Sequence, residues 1–273
     1  MNSLRDINKR LTRSVAETIE DAVAVVRARR RHRRPRTTEE GSRQFAGLSM
    51  QELMYRFESL GDNCEFGLVQ RRCGAEPLGL FRFAAVAPEN VARALEAGLA
   101  DIAVPEAISI FRDEDENEQG KKAFYAYHQK YEMKLHIGFS EGQGTPEKIH
   151  GVIVQRLRFL VRKMRGVLSG GEKILVCRTR TSDCAIALRL AAVLRGFGPN
   201  LLLWVTPAPT PQAIGRVEPV AEGLLKGCVE VGSDWDNMAV ESWLALCESA
   251  YGYWKSSSSA ASLARETGER LAR

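Results

Sequence analysis

An α/β domain built on a mixed, partly parallel sheet flanked by helices is the fold class this sequence predicts, and three observations predict it. Two continuous apolar runs, ILVCRT at residues 174–179 and NLLLWVT at 200–206, read as strands buried on both faces. Asp183 to Arg195 between them is helical in pattern, so strand, helix and strand make a right-handed βαβ unit with parallel strands. Within residues 146–166, Ile149, Ile153, Leu157, Leu160 and Met164 mark the apolar stripe of a helix that can cover such a sheet. At 273 residues and 44% hydrophobic content the chain can bury one large core.

In chain order, Leu4, Ile7, Leu11, Val15, Ile19, Ala22 and Val26 predict an amphipathic helix from Asn2 to about Arg31, running into the basic stretch RARRRHRRPR at 27–36 and a linker after Pro35. Residues 1–40 hold 11 Lys and Arg against 6 Asp and Glu, leaving 28 of each sign in the rest, so the net charge of +5 belongs to this arm. A solvated helix with a basic end is one reading of this arm; the other is an anchor, since an apolar stripe followed by arginines suits an anionic membrane surface or an acidic partner through residues 1–36. Nucleic acid is not an expected partner, because the arm has no aromatic residue to stack on bases and the rest of the chain is electrically balanced.

Ser49 and Glu52 have the spacing of a capping box for a helix to about Phe57. Gly61, Asp62 and Asn63 interrupt, and a second helix from Glu65 to about Cys73 ends at Gly74, a C-terminal cap. Val91 to Leu99 is a further helix, and DEDENEQGKK at 113–122 is a surface turn or loop. AFYAYHQKYEMKLHIGF alternates as a half-buried strand or hairpin, with Tyr125, Tyr127, Tyr131, Met133, Leu135, Ile137 and Phe139 at odd positions and His128, Lys130, Glu132, Lys134 and His136 at even ones. An unbroken register would turn both histidines away from the apolar side. A last helix, Asn237 to about Trp254, precedes KSSSSAAS, read as a flexible tether. The expected organisation is an arm and linker at 1–44, one domain at 45–255 and a tail at 256–273.

Cys64, Cys73, Cys177, Cys184, Cys228 and Cys247 form no CxxC pair, so free thiols in a reducing compartment are expected, without disulfides or a metal site. No window approaches the roughly 18 apolar residues of a membrane span, and the N-terminus has no signal-peptide pattern. The expected address is cytoplasmic, with the arm permitting peripheral association with the inner membrane face. The loop after ILVCRT is RTSD, without the glycines that let backbone approach a pyrophosphate, and no cofactor is expected.

The chemistry concentrates in SLGDNCEFGLVQRRCG, residues 59–74, which sets a cysteine between a turn and a helix. There Asn63 or Asp62 can cap the helix and the first-turn N–H groups can stabilise a Cys64 thiolate, whereas Asp62 and Glu65 oppose it by charge; buried packing is the alternative role for such a cysteine. His32 lies in the arm and His150 beside a helix start, leaving His128 and His136 as bases. Cysteine on an early helix and histidine on a later strand is the order of papain-like enzymes.

The run LGDNCEFGLVQRRCG, then PLGLFRF, His136 in YEMKLHIGF, GEKILVCRTR, NLLLWV and WDNMAVESW together resemble a bacterial family of uncharacterised proteins labelled papain-like cysteine peptidases. The resemblance spans most of residues 55–250, with the G-x-N-C turn its most specific part. It implies a cysteine hydrolase or acyltransferase with Cys64 as nucleophile and His136 as general base, acting on a peptide, acyl or glycan-related substrate and linked to surface polysaccharide. Where the family commonly reads P-F-D-W this chain has Leu80-Phe81-Arg82-Phe83, and where it commonly reads H-D this chain has His136-Ile137. Asp234 and Asp236 are then the candidates for the third member. Glu58 stands six residues before Cys64, where papain-like enzymes carry an oxyanion glutamine, so the Cys64 N–H and the Asn63 amide are the expected donors. The alternative is a non-catalytic glycan- or partner-binding module, with Arg82, Arg178 and Trp235 as substrate-binding residues.

Overall fold

Ser49 Oγ accepts from Glu52 N while Glu52 Oε2 accepts from Ser49 N at 2.9 Å, so the domain opens on the reciprocal cap that its sequence predicts. The computed structural model describes residues 44–116, 121–179, 184–232 and 238–271. The arm at 1–36, Asp183, and Asp234, Trp235 and Asp236 lie outside the described residues.

A hairpin of β1 (Gln44–Phe45) and β2 (Leu48–Ser49) leads into α1 (Met50–Tyr55), β3 (Phe57–Ser59) and α2 (Glu65–Arg72). Then come β4 (Ala84–Ala85), α3 (Pro88–Glu96), β5 (Ile108–Glu116), β6 (Lys122–His128) and β7 (Met133–Ser140). The chain continues through α4 (Pro146–Gly170), β8 (Ile174–Arg178), α5 (Cys184–Arg195), β9 (Leu201–Pro207), β10 (Val217–Ala221), β11 (Leu224–Val229) and α6 (Val240–Leu271).

The central sheet has the order β10-β11-β9-β8-β3, with β3, β8, β9 and β11 parallel and β10 antiparallel at one edge. The fold is therefore α/β with a mostly parallel mixed sheet, and β8-α5-β9 is the predicted parallel unit. Successive residues face opposite sides. Leu175, Cys177, Leu202 and Trp204 join a core with α4, α5 and the inner face of a second sheet, β4-β7-β6-β5. Ile174, Val176, Leu203 and Val205 join another with Leu53 of α1, Phe66 and Val69 of α2, and Trp243 and Leu246 of α6.

Four readings of the sequence are corrected. The β6–β7 register is not continuous: residues 129–131 form a 3-10 turn, Glu132 takes a left-handed φ of 48°, and Tyr127 pairs with Lys134 while His128 pairs with Met133. Odd positions of β6 thus share a face with even positions of β7, so Tyr125 and Tyr127 lie on the open side with Lys134 and His136. His128 is instead fully buried, its Nε2 3.1 Å from the Asp101 carbonyl oxygen. The acidic stretch is not all turn, because β5 extends to Glu116. The helix expected to stop near Trp254 runs to Leu271; Ser256 Oγ bonds back to the carbonyls of Gly252 and Tyr253 at 2.9 and 3.0 Å, which keeps a serine compatible with helix. Finally, the first helix stops at Tyr55, so that residues 57–59 join the sheet.

Candidate functional site

Cys64 follows β3 at the carboxyl end of the parallel strands, across a turn in which Gly61 and Asp62 have φ of 94° and 74°. The carboxyl ends of the strands are the side on which open α/β sheets hold ligands. A Cβ at Gly61 would meet Val86 Cγ1 at 2.7 Å, so glycine there meets both a backbone and a space requirement. Asn63 Oδ1 accepts the Glu65 N–H at 2.9 Å, and Cys64, whose carbonyl accepts the Leu68 N–H at 3.0 Å, is the N-cap residue of α2. With Oδ1 committed to the helix, donation from Asn63 to an oxyanion would come from Nδ2.

The thiol is half-buried, and burial pushes its pKa up from 9.0 to about 11, while the Arg71 and Lys134 charges draw it down. This reverses the lowered value that a helix N-terminus leads one to expect: α2 has eight residues, and desolvation outweighs the cations. The Glu65 carboxylate, expected to oppose the thiolate, is turned to other partners. Its Oε1 accepts from Trp243 Nε1 at 3.0 Å and its Oε2 lies 3.0 Å from Arg178 Nε, a charge contact without hydrogen-bond alignment. Arg178, 3% exposed at the end of β8, also donates to the Thr179 carbonyl at 2.9 Å. Glu65 thereby ties the start of α2 to β8 and α6.

Arg82 is a structural hub. It is 4% exposed, pairs with Glu76 Oε2 at 2.7 Å, and donates to the carbonyls of Pro77, Gly67 and Ala75 at 3.0–3.1 Å. A Cβ at Gly67 would lie 2.5 Å from the Arg82 carbonyl oxygen, so glycine lets α2 press against residues 82 and 83. Glu58, in place of an oxyanion glutamine, is 2% exposed and held by Lys173 and Lys163 at 2.9 and 3.3 Å.

His136 is exposed on β7, its ring 4.5 Å from that of Tyr125 in an edge-on arrangement. Its strand connects to the Cys64 turn through β4: the His136 N–H donates to the Phe83 carbonyl at 3.0 Å, Ala84 pairs with Leu135, and the Asp62 N–H donates to the Val86 carbonyl at 3.2 Å. The other two described histidines have structural partners. His150 Nε2 lies 3.1 Å from the carbonyls of both Pro105 and Ile108, and His128 is in the core.

Three residues that sequence reasoning passed over stand at this site. Lys134 acts on the Cys64 thiol and sits over the Tyr125 ring, 4.0 Å from its centroid; Arg71 lies 4.8 Å from the Phe83 centroid. The signal for Lys134 was its place two residues before His136 on one strand face. Tyr125 had no usable signal, because its side depends on the turn at 129–131.

No protein-family model matches this chain, and no curated protein matches it. The functional reading therefore rests on the site. Among the described residues no helix is long and apolar enough to cross a membrane, and no three His, Cys, Asp or Glu side chains are grouped as metal ligands.

Proposed function

We propose that this domain is a cysteine-dependent hydrolase or acyltransferase in which Cys64 attacks an acyl carbonyl and His136 is the general base. The observation that carries the reading is the position of Cys64: a cysteine at the N-cap position of a helix, at the carboxyl end of a parallel sheet, with the Lys134 and Arg71 cations acting on its thiol. A thiol pushed up to about 11 is protonated at neutral pH, so attack requires removal of its proton as the substrate binds. Sγ forms a bond to the carbonyl carbon, its proton passes to His136, and the carbonyl oxygen takes the negative charge near the Cys64 N–H and Asn63 Nδ2. The intermediate then collapses, the C–N or C–O bond breaks, and the leaving group takes the proton from His136. Water or an amine attacks the thioester and returns the thiol. Asp234 is the proposed holder of the imidazole, and Trp235 a proposed substrate contact. The substrate is a peptide, acyl or glycan-related compound, and residues 1–36 are proposed to bring the domain to an anionic membrane surface at the inner face, or to an acidic partner.

The raised thiol pKa favours a second reading, a glycan- or partner-binding module that uses the same crevice without covalent chemistry. Assays of Cys64→Ala separate the two. Loss of acyl turnover in a protein that still folds supports the enzyme; undiminished ligand binding with no turnover in the parent supports the module. The buried partners of Arg82 and Arg178 make both residues supports of the crevice under either reading.

A further inference from the structure

The four-stranded sheet ends on β5, which pairs with β6 and, among the described residues, has no strand on its other side. Ile108 shows which backbone groups of β5 point away from β6. Its N–H donates to the Pro105 carbonyl and its own carbonyl oxygen lies 3.1 Å from His150 Nε2, so both groups are turned outward and both have partners. Backbone groups of successive strand residues alternate in side. Ser109 and Phe111, opposite Tyr127 and Tyr125, are therefore turned to β6, and Ile110 and Arg112 are turned outward. Among the described residues no backbone or side-chain group meets the outward N–H and C=O groups of Ile110 and Arg112. Their side chains are committed elsewhere: Ile110 packs against the core, and Arg112 pairs with Glu141 at 2.6 Å.

We propose that the open edge of β5 is a docking site for an extended, basic segment of another protein, which adds as a fifth strand through Ile110 and Arg112. A sheet edge with unpaired backbone groups is a template for such a strand. Charge selects the occupant. Residues 108–128 hold Asp113, Glu114, Asp115, Glu116 and Glu118 against Arg112, Lys121 and Lys122, a net of −2, with four acids in succession where β5 runs on to Glu116. Two copies joined edge to edge would bring −4 together, so a second copy of this chain is disfavoured where a basic segment is attracted. Antiparallel to β5, the added strand sets one side chain beside Phe111, which is 37% exposed, and its basic residues beside 113–116. This docking is independent of the thiol chemistry, since β6 and β7 separate β5 from β4 and the Cys64 turn.

The test is amide hydrogen exchange and peptide titration by NMR on the isotope-labelled full-length protein. The probes are the peptide KRKTVTVS, its acidic counterpart EEETVTVS, and KRKTVTVS carrying N-methyl groups along TVTV. In the free protein the Ile110 and Arg112 amides should exchange faster than those of Ser109 and Phe111. KRKTVTVS should bind and slow the first two, and neither other peptide should. Arg112→Pro removes one outward N–H and no bond to β6, and should weaken binding at least about tenfold. Arg112→Ala loses the same ion pair with Glu141 and should retain binding. The N-methylated peptide makes this test from the partner's side, so the outcome does not hang on the folding of the proline variant. Absence of KRKTVTVS binding at about 1 mM, equal affinity of the N-methylated peptide or in Arg112→Pro, or slow exchange of both amides with no peptide present would overturn the proposal.

Discussion

Alkylation of Cys64 as a function of pH is the perturbation most directly set by the structure. A thiol titrating at about 11 has roughly a hundredfold less thiolate at pH 7 than one titrating at 9.0. Thiolate nucleophilicity rises with basicity by a Brønsted coefficient of about 0.4–0.5, which over two units returns a factor of roughly eight. The net expectation is that Cys64 reacts with iodoacetamide about tenfold more slowly than an ordinary thiol at pH 7, with further slowing from burial. Cys184, which is exposed, is the internal control, and peptide mass spectrometry resolves the two. The rate at Cys64 should rise about tenfold per pH unit through pH 9–10, and Lys134→Met should move the profile to higher pH because it removes a cation that draws the thiol down. The same shift has a stability consequence. A folded-state value above the unfolded one stabilises the fold fully below pH 9, and that contribution is lost between about pH 9 and 11, at most about 3 kcal/mol. Wild-type stability should therefore fall relative to Cys64→Ala across that window. A fast, pH-independent reaction of Cys64 below pH 7 would refute the reasoning, since it would mean that a thiolate exists there despite burial.

Three further outcomes follow from named contacts. Arg82→Leu leaves three buried carbonyls without their donor and Glu76 with Arg71 alone, and should cost about 3–5 kcal/mol by urea denaturation; unchanged stability would show that Arg82 is not a hub. Gly67→Ala drives a methyl to 2.5 Å from the Arg82 carbonyl oxygen and should cost about 1–3 kcal/mol, with the denaturation midpoint as readout. Glu65→Gln removes the charge facing the buried Arg178 and should destabilise the domain by about 2–4 kcal/mol, partly restored by Arg178→Met in the same protein; no restoration would argue against the pair.

The sequence was most readable where one local signal and the tertiary fold agree. Ser49 with Glu52 and Gly74 after α2 mark helix ends because caps satisfy backbone groups locally, and both stand where predicted. ILVCRT and NLLLWVT are legible because a strand buried on both faces has no polar position. The β6–β7 face was hidden, since three residues of 3-10 turn shift the register and exchange the side occupied by Tyr125 and Tyr127, while Tyr131 stays in the core. β3 was missed because FES is too short to show a period. At the site, the turn around Cys64 could be read, but the thiol's balance of burial against charge depends on side chains far away in sequence. Arg82 and Arg178 show the same limit: an arginine's burial and partners are tertiary facts.

The most direct test of the central claim is acyl transfer to Cys64 itself. Wild-type, Cys64→Ala and His136→Ala proteins would be mixed with a p-nitrophenyl ester at pH 7.5 and the modified residue found by peptide mass spectrometry on a millisecond-to-second timescale. The account predicts a thioester on Cys64 that forms faster than on exposed Cys184, slows sharply in His136→Ala and is absent in Cys64→Ala. Acylation of Cys64 that is no faster than that of Cys184, or that is indifferent to His136, would contradict it.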